Sequence, residues 1–305
     1  MQLENESIII NIESWFIPID ILLILSTGLS ILFGIIFLLI IIYDKTCHTV
    51  SIMLIGNSCL TEIIYGINMF SMGLFTFEND LKQIQYQDSL CLFRGYFGYV
   101  VTSLQNYSYL SQAMYRYIII IYPTRRYYQT IKFQFILICL TWIFSLLCPI
   151  PYILLNEIKY NVYNQICQMP LHLSFITIYN AFCIYLIPLS LLILIYLKLI
   201  KYVRKMNKNI ILVNNLIRAQ SELKMVRRII ILVTGVIIIG FPYTMFFFLS
   251  FFINLPKYHF RIAYIFVDIS LLFVIIILFQ FTDQIKIFIR RKIIRRTNIV
   301  LPIIT

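Results

Sequence analysis

Seven apolar stretches, at roughly 19–43, 50–75, 91–121, 133–155, 173–202, 223–253 and 260–282, constrain this chain more than any other feature. A bilayer's hydrocarbon core, about 30 Å thick, takes about 20 helical residues to cross. Each stretch is long enough. Hydrophobic residues make up 61% of the chain and charged ones 12%, with a mean hydropathy of +0.88. Ordinary soluble domains are roughly half apolar and about a quarter charged, so the excess must face lipid. Connections are short, and no repeat or low-complexity linker marks a second domain. The sequence therefore predicts one all-α membrane bundle of seven helices over 19–282, preceded by an N-terminal segment 1–18 and followed by a tail 283–305.

The net charge of +12 could invite nucleic acid, but its placement argues otherwise. Twenty of the 25 Lys and Arg fall in three short loops and the tail on one side, including Lys45, Arg125, Arg126, Lys201, Arg204, Lys205, Lys208, Arg227 and Arg228. Such a bias orients a membrane protein with that side in the cytoplasm, and seven spans leave no soluble basic face for nucleic acid. Nine of 13 acids read as outside, three as inside (Asp44, Glu222, Asp283), and one, Glu62, as within a span. The N-terminus is then extracellular and the C-terminus cytoplasmic, at the plasma membrane. The first 20 residues carry four acids and no base, the reverse of a secretory leader, so the first span serves as its own signal. Asn5-Glu6-Ser7 is a glycosylation sequon usable on that outer side. After the seventh span, Ile285, Ile287 and Phe288 alternate with Lys286, Arg290 and Arg291. This reads either as a short amphipathic eighth helix on the anionic inner leaflet or as a disordered stop-transfer tail.

Of seven cysteines, only Cys91 and Cys167 fall on the oxidising side. A disulfide between them would staple the loop before span five over the outer mouth of span three; two free extracellular thiols are the alternative.

Arg116 lies 25 residues after Cys91, within Met114-Tyr115-Arg116-Tyr117, and Pro123 follows seven later. This resembles the third helix of rhodopsin-like G-protein-coupled receptors, with an outer cysteine, an Asp/Glu-Arg-Tyr run and a proline in the next loop. Further landmarks follow in order. Asn57-Ser58-Cys59-Leu60-Thr61-Glu62 is similar to the family's Asn-x-x-Leu-x-Asp run of helix two; Trp142 matches the tryptophan of helix four, and Pro188 with Tyr196 the proline and tyrosine of helix five. Phe241-Pro242 matches the kink of helix six, and Glu222, twenty before Pro242, an acid at that helix's inner end. The resemblance covers residues 18–297. It implies a receptor that binds an extracellular ligand and activates a heterotrimeric G protein by outward movement of helix six.

The chain departs from the family at several of its moving parts. Tyr115 replaces the acid beside the arginine, Gly34 the asparagine of helix one, Gly240 the tryptophan two before Pro242, and Val236 an aromatic below it. Ile277-Leu278-Phe279-Gln280-Phe281 stands where Asn-Pro-x-x-Tyr is expected.

A guanidinium near the membrane edge finds a partner or snorkels to lipid phosphate. For Arg116 the partner predicted is Glu222, holding spans three and six together; snorkelling is the alternative. Glu62, read as the lone deep acid, is a candidate site by its cost alone. The resemblance places it at the family's sodium site, but Phe273, Val274 and Ile277 supply no oxygens there, leaving Gln105 as partner. A sodium ligand and a neutral, hydrogen-bonded Glu62 stay equally open. Trp142 reads as a packing or lipid-facing residue.

By the resemblance, Gly98 stands where amine receptors carry Asp and Leu271 where opsins carry the retinal Lys, which excludes both classes. Tyr99, Thr102, Asn180, Tyr243 and Phe247 either line a ligand cavity or are ordinary core. An acidic outer rim of Glu78, Asp80, Asp88 and Glu157 suits a cationic or amidated peptide. A transporter would show several charged midplane residues or broken, repeated helices. An intramembrane enzyme would show paired acids or a metal-binding His pattern, which His48, His172 and His259 do not form. A degenerate receptor that no longer couples remains a fourth alternative.

Overall fold

A computed structural model describes residues 15–208, 234–235, 240–250, 252–253, 256–282 and 285–288. The described chain runs α1 (Phe16–Tyr43), α2 (Val50–Lys82), α3 (Cys91–Ile121), α4 (Ile131–Leu147), α5 (Ile150–Leu154), β1 (Lys159–Asn161), β2 (Ile166–Gln168), α6 (Phe175–Asn180), a π-helical segment (Ala181–Leu186) and α7 (Ile187–Lys208). It ends in α8 (Gly240–Leu249), α9 (His259–Phe281) and a helical turn at 285–288. Spans one to five and seven are thus described along their length, and the sixth in part as α8.

The burial pattern is that of a membrane bundle. On α1, Asp20, Ser26, Thr27, Ser30 and Gly34 are buried, whereas Leu25 is 58% and Leu32 52% exposed. In lipid the apolar face turns outward and small or polar residues let helices approach. Gly34 shows why asparagine is absent there: a Cβ on it would press into Ile63 of α2. The Cys59 thiol instead donates to the Gly34 carbonyl at 3.5 Å.

Central in the bundle, α3 is buried on most sides and carries polar side chains to several neighbours. Ser103 donates to Ser145 of α4 at 3.0 Å, Ser58 of α2 to Ser108 at 2.9 Å, and Gln112 to Ser58 at 2.5 Å. In a medium without water these bonds satisfy groups that would otherwise be costly.

Several boundaries differ from those the sequence suggests. The second helix continues past residue 75 to Lys82, its last turn closed by a Glu78–Lys82 ion pair and capped by Gln83 in the left-handed conformation at φ 53°. Span four is interrupted after Leu147, where Pro149 and Pro151 cannot donate to a continuous ladder. Pro188 has a larger effect. It removes the N–H that would bond the Ile184 carbonyl, and Ala181–Leu186, just upstream, take π geometry. Two α3 side chains complete the repair: Asn106 donates to the Ile184 carbonyl and Tyr107 to that of Cys183, both at 2.9 Å.

The acid count also needs correcting. Asp268 belongs to the interior of α9 and is 2% exposed, so Glu62 is not the lone acid within a span; Asp20, on α1, is likewise buried. Both escape a charge-by-loop reading because a single carboxylate barely alters the hydropathy of a long apolar run.

Candidate functional site

At one end of the bundle Cys91, opening α3, is disulfide-bonded to Cys167 of β2, with Cα atoms 5.3 Å apart. The strands pair antiparallel with Tyr160 opposite Cys167. Asn161 closes their turn by accepting from the Asn164 backbone N–H at 3.0 Å, and Gln165 takes a left-handed φ of 53°. One turn below the disulfide, Gly95 has the Cys167 carbonyl so close that a Cβ would collide with it. Glycine here allows the hairpin to lie directly on α3.

Beneath the hairpin are most of the residues expected to contact ligand. Tyr99 accepts from the Met169 backbone N–H at 3.2 Å and meets the Tyr152 ring edge-on at 5.1 Å. Tyr152 donates to Asn180 at 3.0 Å, and Gln168 of β2 donates to Tyr243 of α8 at 3.4 Å. Thr102, one turn along α3, donates to the Gly98 carbonyl at 2.8 Å. Phe247 packs edge-on against Phe248, centroids 5.7 Å apart. The structure thus joins Tyr99, Asn180 and Tyr243 through Met169, Tyr152 and Gln168, while Thr102 bonds its own helix and neighbours Tyr65 of α2.

A cavity of about 30 Å³ opens elsewhere, between α1, α2 and α9, lined by residues including Asp20, Thr76, Asn164, Arg261, Tyr264 and Asp268. None of the five residues proposed for ligand contact borders it. Arg261, 4% exposed, grips Asp80 with both terminal nitrogens at 2.6 and 3.1 Å and reaches Asp20 at 3.5 Å. Its guanidinium lies 4.1 Å from the Phe16 ring centroid, and its backbone N–H donates to Asn164 at 3.1 Å. Gln165 adds a 2.6 Å bond to Asp80. Nearby, burial pushes the Tyr160 phenol up to about 12, with Arg261 opposing.

Three of the four acids of the expected rim are ion-paired. Asp80 is taken by Arg261, Asp88 by Arg94 at 2.6 Å, and Glu78 by Lys82. Of the four rim acids only Glu157 shows no ion pair among the described residues. The sequence could have flagged Arg261 as a base at the head of a span, but nothing linear pairs residues 181 positions apart.

Midway along the bundle, Gln105 and Tyr109 of α3 both donate to Glu62 Oε1 at 2.5 Å. Glu62 Oε2 is buried without a hydrogen-bond partner among the described residues. Sodium needs several oxygens at once, and here Gln105 presents its amide N–H rather than an oxygen. Phe273, Val274 and Ile277 of α9 add none. This donor set suits a hydrogen-bonded carboxyl group better than a cation cage.

At the end away from the disulfide, Arg116 is 4% exposed, so it does not snorkel to lipid phosphate, and it donates to Ser51 of α2 at 2.7 Å. Tyr115 packs with Leu54 and Ile138. Tyr196 is buried among the core of α1, α2, α3 and α9, its hydroxyl without a hydrogen-bond partner among the described residues. Trp142 does more than pack, donating to Asn57 at 3.0 Å. Pro242 falls within α8, one turn before Phe246, which is buried. Ile285 of the last helical turn is fully buried in the same core as Tyr196, with Lys286 exposed. Glu222, Val236, Asn5, Arg290 and Arg291 lie outside the described residues.

Compared with known families, residues 34–278 match the model of the 7 transmembrane receptor (rhodopsin family). The chain belongs to that family. Among solved structures, the receptor is similar to squid rhodopsin, with a TM-score of 0.73 at 18% identity over 92% of this chain and 89% of that one. At that identity the likeness speaks for the fold. No curated protein matches the receptor. It is a multi-pass membrane protein with the bundle, the helix-three disulfide and the order of landmarks that its sequence resemblance implies.

Proposed function

We propose that the receptor faces the outside of the plasma membrane with its disulfide end, binds a cationic ligand there, a basic or amidated peptide, and activates a heterotrimeric G protein at its Arg116 end. One observation carries the ligand class. Inside the disulfide end, Asp20 and Asp268 are buried, and each has a carboxylate oxygen that finds no donor among the described residues. Rim charges steer but are screened, whereas buried ones discriminate.

The coupling end is read from Arg116. Arg116 donates to the Ser51 hydroxyl, and a hydrogen bond to a neutral partner of that kind costs less to exchange than a carboxylate pair. Tyr115 removes the neighbouring acid, so Glu222 of helix six stays our proposed partner in the inactive receptor, and helix six moves outward when that contact opens. Pro242 and Pro188 give helices six and five places to bend. We read Glu62 as hydrogen-bonded to Gln105 and Tyr109 without sodium. Asn5 is the proposed glycan site, and the turn at 285–288 begins the proposed amphipathic eighth helix.

Nucleotide exchange on a panel of G proteins, with a library of basic and amidated peptides as agonists, tests this reading. Exchange stimulated by at least one peptide on one G protein is expected. A receptor displayed at the surface that drives none of the panel, and whose Glu222→Gln variant leaves basal exchange unchanged, would support the degenerate-receptor alternative.

A further inference from the structure

The cavity between α1, α2 and α9 is electrostatically unfinished. Three carboxylates, Asp20, Asp80 and Asp268, meet one guanidinium in its neighbourhood. Arg261 commits both terminal nitrogens to Asp80 at 2.6 and 3.1 Å and stands 3.5 Å from Asp20. Asp268 is seven residues further along α9, roughly 10 Å at 1.5 Å per residue. Asp20 and Asp268, 1% and 2% exposed, both line the cavity. Asp268 Oδ1 lacks a hydrogen-bond partner among the described residues, and Asp20 Oδ2 finds no donor there, its carboxyl lying against that of Asp80.

Burying a carboxylate without a partner opposes folding unless it takes up a proton or a cation completes it. The space limits what that can be. About 10–15 Å³ holds one water, and the roughly 30 Å³ here has room for an ammonium-sized group. The walls also suit a cation. Thr76 donates its hydroxyl proton to the Met72 carbonyl at 2.9 Å, which leaves its oxygen free to accept. Leu23, Met69 and Met72 supply an apolar surround in which a charge pair is little screened.

We propose that this cavity is a subsite for a compact monovalent cation, either the primary ammonium of the ligand or an inorganic ion of similar size, held between Asp20 and Asp268. It deepens the reading of a receptor for a cationic ligand and rests on it. Cation binding can be read without ligand or G protein, so the two readings fail separately.

The test is thermal unfolding of the full-length receptor in lipid nanodiscs, in methylammonium, sodium or tetramethylammonium chloride at equal ionic strength. Methylammonium, sodium or both should raise the midpoint above that in tetramethylammonium, saturably. The apparent affinity should fall at least tenfold in Asp268→Asn and Asp20→Asn and stay within twofold of wild type in Glu62→Gln. An increment from methylammonium alone assigns the site to a ligand ammonium, and one from sodium alone to an inorganic ion; either supports it. Equal midpoints in the three salts overturn the proposal, as does an increment that survives both aspartate variants or disappears in Glu62→Gln. If Asp268→Asn does not fold, Asp20→Asn and the wild-type size series decide the same point.

Discussion

The two ends of this receptor are held together by different chemistry. At the disulfide end the contacts are covalent or doubly ionic: Cys91–Cys167 ties β2 to α3, and Arg261 joins α9 to α2 through Asp80. At the other end Arg116 donates to a neutral partner, the Ser51 hydroxyl of α2. Between them, Asn106 and Tyr107 bind two carbonyls of the π-helical segment Ala181–Leu186. A stapled end keeps a ligand site in shape, and a lightly latched end can open to a partner. The difference is in which groups lose their partner when something moves.

Removing one member of the buried ion pair should have the largest effect. Arg261→Gln leaves Asp80 buried and uncompensated, at a cost of about 3–5 kcal/mol. The thermal midpoint should fall steeply, with Arg261→Gln/Asp80→Asn recovering part of the loss. Cys167→Ser comes next at about 2–5 kcal/mol, seen as loss of surface expression and of ligand binding together. In the middle of the bundle, Asn106→Ala orphans the Ile184 carbonyl and should cost about 1–3 kcal/mol; a penalty below 0.5 kcal/mol, on the order of experimental scatter, would show that the π segment holds itself. Ser51→Ala should be milder, about 1 kcal/mol. Its signature is functional, raised basal nucleotide exchange with ligand affinity kept. The smallest effect belongs to Glu62→Gln, below about 1 kcal/mol, since an amide oxygen still accepts from Tyr109 and Gln105. Whatever sodium does to ligand affinity, relative to N-methyl-glucamine, should be the same in Glu62→Gln as in wild type.

The fold was open to reading because its determinants are linear. Apolar length, basic loops and the positions of Cys91, Arg116, Pro188 and Pro242 each lie along one stretch of chain. Glu62 and Gln105 could be paired because the resemblance supplies the register between helices two and three. The Arg261–Asp80–Asp20 cluster could not, because its members come from α9, α2 and α1 and each reads alone as a flank charge. Asp268 was hidden in a span whose hydropathy it hardly dents. Gly95 likewise reveals its reason only once the Cys167 carbonyl lies against it.

Distances between spin labels measure the central claim directly. One pair spans the proposed moving end, at Lys132 and Arg228; the other spans the stapled end, at Lys82 and Lys159. Addition of an agonist and nucleotide-free G protein should lengthen the first distance and leave the second unchanged. A first distance that stays fixed while exchange is stimulated, or a second that shifts as much as the first, would contradict the account.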